Sequence, residues 1–130
     1  MRVLLADDDP GWRSILAAGL RRQDHYVDCV DNGNEAIARA RRMEYDALLL
    51  DLGMPGGGGI DACRRLRQAR VDVPILVITG SGALTNRVEA LDSGADDCMS
   101  KPVDLPEVMA RLRAVTRRGR TRTLRATVEH

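Results

Sequence analysis

The sequence contains no phenylalanine, one tryptophan and two tyrosines in 130 residues. So sparse an aromatic set excludes the stacking platforms that grip single-stranded nucleic acid. The three cysteines, Cys29, Cys63 and Cys98, are odd in number and widely spaced, so free thiols are expected rather than a disulfide frame or a zinc site. No apolar run approaches the roughly 20 residues that span a bilayer. The start of the chain lacks a signal-peptide layout, so a cytoplasmic protein with no membrane partner is expected. Charge of one sign is also missing, since 20 basic and 19 acidic residues leave +1. Residues 117–130 hold five arginines and one glutamate, which leaves −3 on residues 1–116, so only the tail suits a polyanion. Lysine is nearly absent: of the 20 basic residues only Lys101 is not arginine.

What is present is the composition of one soluble domain, 44% apolar and 30% charged. Near-continuous aliphatic runs at Val3–Ala6, Ala47–Leu50 and Ile75–Ile78 read as strands buried on both faces, with weaker strands at Tyr26–Val30 and Asp97–Ser100. Helical spacing separates them. Trp12, Ile15, Leu16 and Leu20 share one face, as do Ala36, Ile37, Ala40 and Met43, and Ile60, Cys63, Leu66 and Arg67. A fourth helix is expected from about Thr85 to Ser93 with Val88 and Leu91 inward and Gly94 as its stop. A fifth is expected from about Asp104, its N-cap, to Arg118, with Val108, Leu112 and Val115 inward. Five alternations of strand and helix predict a doubly wound α/β domain with right-handed crossovers. The expected organisation is one domain over residues 1–118 and a linker or tail over 119–130.

In an open α/β sheet, ligands bind beyond the carboxyl ends of the strands. Here those ends carry Asp7-Asp8-Asp9, Asp51, Thr79 and Ser100-Lys101-Pro102. Clustered carboxylates repel one another unless a cation lies among them, and their oxygens suit hard Mg²⁺. A lysine and a hydroxyl can then hold phosphoryl oxygens, while an aspartate can accept the phosphoryl group itself. A chain that uses arginine everywhere else keeps its one lysine at this edge, which indicates a need for a compact ammonium rather than a fork.

Leu4–Pro10, Leu49–Pro55, Ile78-Thr79-Gly80, Gly94–Asp97 and Ser100-Lys101-Pro102, in this order and at strand ends, resemble the receiver domain of two-component response regulators over about residues 2–118. The resemblance implies a flavodoxin-like five-stranded parallel sheet of order 2-1-3-4-5. It implies that Asp51 is the phosphoacceptor, supplied by a sensor histidine kinase or a small acyl phosphate. Mg²⁺ would be bound by Asp8, Asp51 and the Gly53 carbonyl, and by Asp7 through water. Thr79 and Lys101 would hold phosphoryl oxygens, and Pro102 would follow a cis peptide bond. Such a domain is a signalling switch, not an enzyme beyond its own phosphotransfer and autodephosphorylation. Residues 87–118 further resemble the OmpR-like, winged-helix transcription regulators. That class forms homodimers through helix 4, strand 5 and helix 5, which points to cross-dimer pairs of Arg87 with Glu107 and Asp97 with Arg111. DNA would be contacted only through an output domain outside this sequence.

Three positions depart from the family pattern. Cys98 stands where the family has the aromatic switch partner of Thr79, Gly58 where a polar residue is common, and Val103 where an aromatic is frequent. The run Gly56–Gly59 is expected to form a mobile loop, and Cys98 to be a buried structural thiol. His25 and His130 stand in no ligand constellation. The alternatives are a stand-alone or degenerate receiver that binds a protein partner, and a small Mg²⁺-dependent phosphatase of the haloacid-dehalogenase type.

Overall fold

The computed structural model describes residues 1–56, 58–80 and 84–129, with side chains except at 84, 85 and 120–129. Gly57 and His130, and the side chains of Arg120, Arg122 and Arg125, lie outside the described residues. Ten elements alternate: β1 (Arg2–Ala6), α1 (Pro10–Arg22), β2 (Tyr26–Val30), α2 (Gly33–Arg42), β3 (Ala47–Asp51), α3 (Gly58–Gln68), β4 (Ile75–Thr79), α4 (Leu84–Asp92), β5 (Asp97–Ser100) and α5 (Leu105–Glu129). The sheet is wholly parallel, in the order β2-β1-β3-β4-β5.

The aliphatic runs explain this layering. In a strand, successive side chains point to opposite faces, so a run with no polar alternation must be covered on both. Leu4, Ala6, Leu48, Leu50, Ile75 and Val77 pack with α2 and α3 on one face. Val3, Leu5, Ala47, Leu49, Leu76 and Ile78 pack with α1 and α5 on the other. Two helix starts show their physical cause. The Asp9 carboxylate accepts the Gly11 and Trp12 N–H groups at 3.0 and 3.3 Å and so caps α1. Asn32 does the same for α2 through Glu35 N–H at 2.9 Å.

Three expectations are corrected. Ile15 does not share the buried face of α1: it is exposed, and Leu16, Ala17 and Leu20 face the core. Val88 and Leu91 do not point inward from α4 but are about half exposed, at 47% and 48%, while Ala90 is buried. Helical spacing specifies which residues share a stripe, but not the width of the stripe that the body covers. Finally, α5 does not stop near Arg118 but continues through Gly119 to Glu129. Glycine at this position lowers helix propensity by about 1 kcal/mol without breaking the backbone hydrogen bonds, unlike proline. In α5, Val108, Leu112 and Val115 are fully buried as expected.

The glycine run is not all loop, since Gly58 and Gly59 open α3, and its backbone serves a close approach. Gly56 and Gly58 take positive φ of 77° and 75°. The Gly56 carbonyl lies where a Cβ on Gly33 would approach to 2.7 Å, so the chain after β3 and the start of α2 meet backbone to backbone. The Gly33 N–H donates to the Pro55 carbonyl at 3.0 Å in the same place.

Candidate active site

Strand order places β1, β3, β4 and β5 side by side, so their carboxyl ends form one edge. Asp7 follows β1, Asp51 and Thr79 end β3 and β4, and Lys101 follows β5. Asp7, Asp8 and Asp51 bring one carboxylate oxygen each to within 4.8 Å of one another. Asp7 and Asp51 are buried and Asp8 is exposed, so the cluster opens to solvent on the Asp8 side. The Lys101 ammonium stands 3.7 Å from Asp51 Oδ1. Thr79 is buried beside it, and its carbonyl accepts the Lys101 N–H at 2.8 Å. The Lys101-Pro102 peptide is cis, as the resemblance implied.

The surroundings hold these groups in unequal ways. Asp7 is engaged from two sides: its Oδ1 accepts the Asp9 N–H at 2.9 Å and its carbonyl accepts Arg13 Nη1 at 2.8 Å. Among the described residues, Asp51 receives one long hydrogen bond, from the Gly53 N–H, 3.4 Å to Oδ1. Burial raises the Asp51 carboxyl above its ordinary range; the Lys101 ammonium opposes this, and the Asp7 and Asp8 charges reinforce it. The result is an aspartate short of compensating positive charge, at the mouth of an oxygen-rich cluster. Such a donor set, all carboxylate and carbonyl, fits a hard divalent cation of the Mg²⁺ type.

Each residue of the expected site is therefore at one edge: Asp7, Asp8, Asp51, Gly53, Thr79 and Lys101 converge. The residues expected at a dimer face lie farther round. Asp97 and Arg111 meet within the chain at 3.0 Å, and Arg111 also reaches Glu107 at 3.3 Å. Arg87 is exposed on α4. Cys98 is buried beneath that face, and burial raises its thiol pKa, the behaviour of a structural cysteine. Cys63 is buried too, its thiol pushed up to about 11.

One cluster escaped the sequence reading. Arg67 uses all five of its N–H groups. Nε and Nη2 donate to the Gly94 carbonyl at 3.0 and 2.8 Å, Nη1 to the Val71 and Val73 carbonyls at 2.8 Å each, and Nη2 to Asp96 Oδ2 at 3.1 Å. The available signal was an arginine on the apolar stripe of α3 together with the Gly94–Asp97 motif, but the spacing alone does not join them.

Among the described residues, no helix is long and apolar enough to cross a membrane. Compared with known proteins, residues 3–113 match the family model of the response regulator receiver domain. The transcriptional regulatory protein TcrA of Mycobacterium tuberculosis is 44% identical over 119 residues, 92% of this chain and 47% of its own length. The chain spans about half the length of the curated relatives it matches. The BeF3-activated N-terminal receiver domain of Klebsiella pneumoniae RstA superposes with a TM-score of 0.84 at 31% identity, covering 90% of this chain and 99% of that one. The receiver domain of a Pseudomonas aeruginosa sensor histidine kinase, with a magnesium ion in its active site cleft, gives 0.82 at 30% identity over 88% of this chain and 96% of that one.

Proposed function

The chain belongs to the response regulator receiver domain family, the signalling module of two-component systems, and within it we propose that Asp51 is the phosphoryl acceptor. One observation carries this reading. Asp51 is the buried carboxylate at the end of β3 whose charge is under-compensated, with the Asp7 and Asp8 oxygens within 4.8 Å and the Lys101 ammonium at 3.7 Å.

An Asp51 oxygen attacks phosphorus, supplied as a phosphohistidine on a sensor histidine kinase or as a small acyl phosphate. The P–O bond to Asp51 forms, and the bond to the leaving group breaks with its electron pair. Lys101 offers its ammonium to one phosphoryl oxygen, and the Thr79 hydroxyl donates to another. Asp8, Asp51 and the Gly53 carbonyl would hold a magnesium ion, with Asp7 acting through water; its chemistry is to neutralise charge on the phosphoryl oxygens. The magnesium-bound cleft of the Pseudomonas aeruginosa receiver supports this assignment. Burial makes the acceptor more basic than an ordinary aspartate, and the Lys101 ammonium opposes that shift.

Movement of Thr79 toward the phosphoryl group then alters the space around Cys98 and the outer face of α4. That face, with β5 and α5, is the proposed homodimer contact, in which Arg87 meets Glu107 of a second copy. Asp97 and Arg111 already pair within the chain, and in the dimer Arg111 would also face Asp97 of a second copy while this internal pair stays in place. The relatives named as transcriptional regulators support a DNA-binding output domain as the recipient of the signal, in a cytoplasmic protein.

Intact mass after incubation with acetyl phosphate and Mg²⁺ tests the acceptor. A gain of one phosphoryl group that Asp51→Asn abolishes is the expected result. A gain that survives in Asp51→Asn overturns the assignment. No gain, either from acetyl phosphate or from phosphorylated kinase, makes the chain a degenerate receiver that only binds partners.

A further inference from the structure

The amino end of β5 is fastened on both of its faces. Asp96 and Asp97 are successive residues and point to opposite sides. Asp96 pairs with Arg67 of α3, in a contact whose side chains are only 23% and 12% exposed, and Asp97 pairs with Arg111 of α5. Asp96 is also locked to the start of β4: its N–H donates to the Ile75 carbonyl and its Oδ2 accepts the Ile75 N–H, both at 2.8 Å. Gly94 has φ of 117°, and a Cβ on it would lie 2.5 Å from Arg67 Cγ, so the arginine stem fills the space beside a backbone that needs glycine.

The last turn of α4 is held into the same knot. Ser93 Oγ donates to the Ala90 carbonyl at 2.6 Å, and the Ala95 N–H donates to the same carbonyl at 3.2 Å. Upstream, α4 has Val88 and Leu91 half exposed, and its described cross-link to α3 is the exposed Arg64–Glu89 pair at 3.8 Å. Among the described residues, one end of the β4–α4–β5 unit is therefore tightly bonded, while residues 86–92 of α4 carry fewer side-chain links.

We propose that Gly94–Asp97 is a fixed pivot, that Arg67 is the positioning residue which holds it, and that a change at Asp51 turns α4 and the far end of β5 about this point. The pivot rests on the reading of Asp51 as acceptor only for what drives it, not for its existence. Arg67 reaches neither Asp51 nor Lys101, so its role is separate from the chemistry.

Hydrogen exchange on the whole chain, before and after acetyl phosphate and Mg²⁺, tests the pivot. In the unmodified protein, amides of residues 95–98 should exchange at least about tenfold more slowly than those of 86–92. On modification, exchange should change at 86–92 and stay constant at 95–98. Arg67→Lys keeps the charge but loses the planar fork: exchange at 95–98 should rise roughly tenfold, while phosphoryl uptake stays within about twofold. Asp96→Asn, a milder change, should raise exchange at the same residues by less. The pivot is overturned by equal exchange in the two segments, by residues 95–98 responding to modification as strongly as α4, or by an Arg67→Lys pattern identical to the native one. If the native protein gains no mass, the acceptor assignment fails alone, and the unmodified comparison of native and Arg67→Lys still decides the pivot.

Discussion

At the carboxyl end of the sheet Asp51 faces Lys101 at 3.7 Å, and at the amino end Asp96 faces Arg67 at 3.1 Å. Both are aspartate–cation pairs that join distant segments. Around Asp96 and Arg67 the hydrogen bonds are short, the guanidinium has no unused donor, and the carboxylate is shared with the Ile75 backbone. Around Asp51 the ammonium is distant, the one backbone donor among the described residues is long, and two more carboxylates press in. A partly buried charge pair with every donor used holds structure in place. A buried carboxylate left short of positive charge costs stability, a deficit that a bound cation would relieve.

The difference predicts opposite signs for mutation at the two ends. The largest effect is expected for Arg67→Met, which removes the cation facing Asp96 and the donor to the Val71, Val73 and Gly94 carbonyls. By the usual cost of breaking one side of a buried pair, urea unfolding should show a loss of about 3–5 kcal/mol. A loss below about 1 kcal/mol would place this pair among ordinary surface contacts.

Asp51→Asn should instead stabilise the protein, on the order of 1 kcal/mol at neutral pH. Burial holds the folded-state pKa of Asp51 above its ordinary value of 3.8, so the folded protein keeps this proton to higher pH than the unfolded chain does. The stability it contributes is present below the unfolded value and lost as pH rises through the folded one. Thermal unfolding of the two proteins should therefore converge at low pH and separate on the neutral side. Excess Mg²⁺ should raise the melting temperature of the native protein and leave that of Asp51→Asn nearly unchanged. A native protein that is the more stable one at neutral pH without Mg²⁺ would contradict the contrast between the two ends.

A third pair sharpens the scale. Asp61 and Arg65 lie one helical turn apart on the exposed side of α3 at 3.7 Å. Asp61→Asn should change unfolding stability by less than about 0.5 kcal/mol, the range of exposed i,i+4 pairs. A larger loss would mean that mere proximity of opposite charges, rather than burial and full donor use, sets the worth of such pairs here.

The sequence was most legible where burial is two-sided. Val3–Ala6, Ala47–Leu50 and Ile75–Ile78 could lie only in the middle of a covered sheet, and the structure extends these strands by a single residue at most at either end. The convergence of Asp7, Asp8, Asp51, Thr79 and Lys101 followed from strand ends alone, because a parallel sheet puts all such ends on one edge. Legibility fell where one-sided burial decides. Ile15, Val88 and Leu91 have the spacing of core residues and yet face outward, because α1 and α4 are covered over a narrower stripe than the apolar pattern spans. The end of α5 was misplaced for a related reason: Gly119 with its flanking arginines and threonines reads as a linker, yet arginine is a good helix former and nothing there blocks the backbone bonds.

By itself the sequence determined the order of elements, the two covered faces of the sheet and the residue types at its reactive edge, since strand period and helix period are local properties of the chain. Only the tertiary structure decided how the charge of each of several similar aspartates is compensated. Asp51, Asp96 and Asp97 all stand at or beside a strand end. The first is left short of positive charge, the second is saturated by Arg67 from α3, and the third is held by Arg111 from α5. Charge tuning depends on distances of a few ångströms between groups up to 50 residues apart in sequence, and those distances exist only once the sheet and its helices have packed.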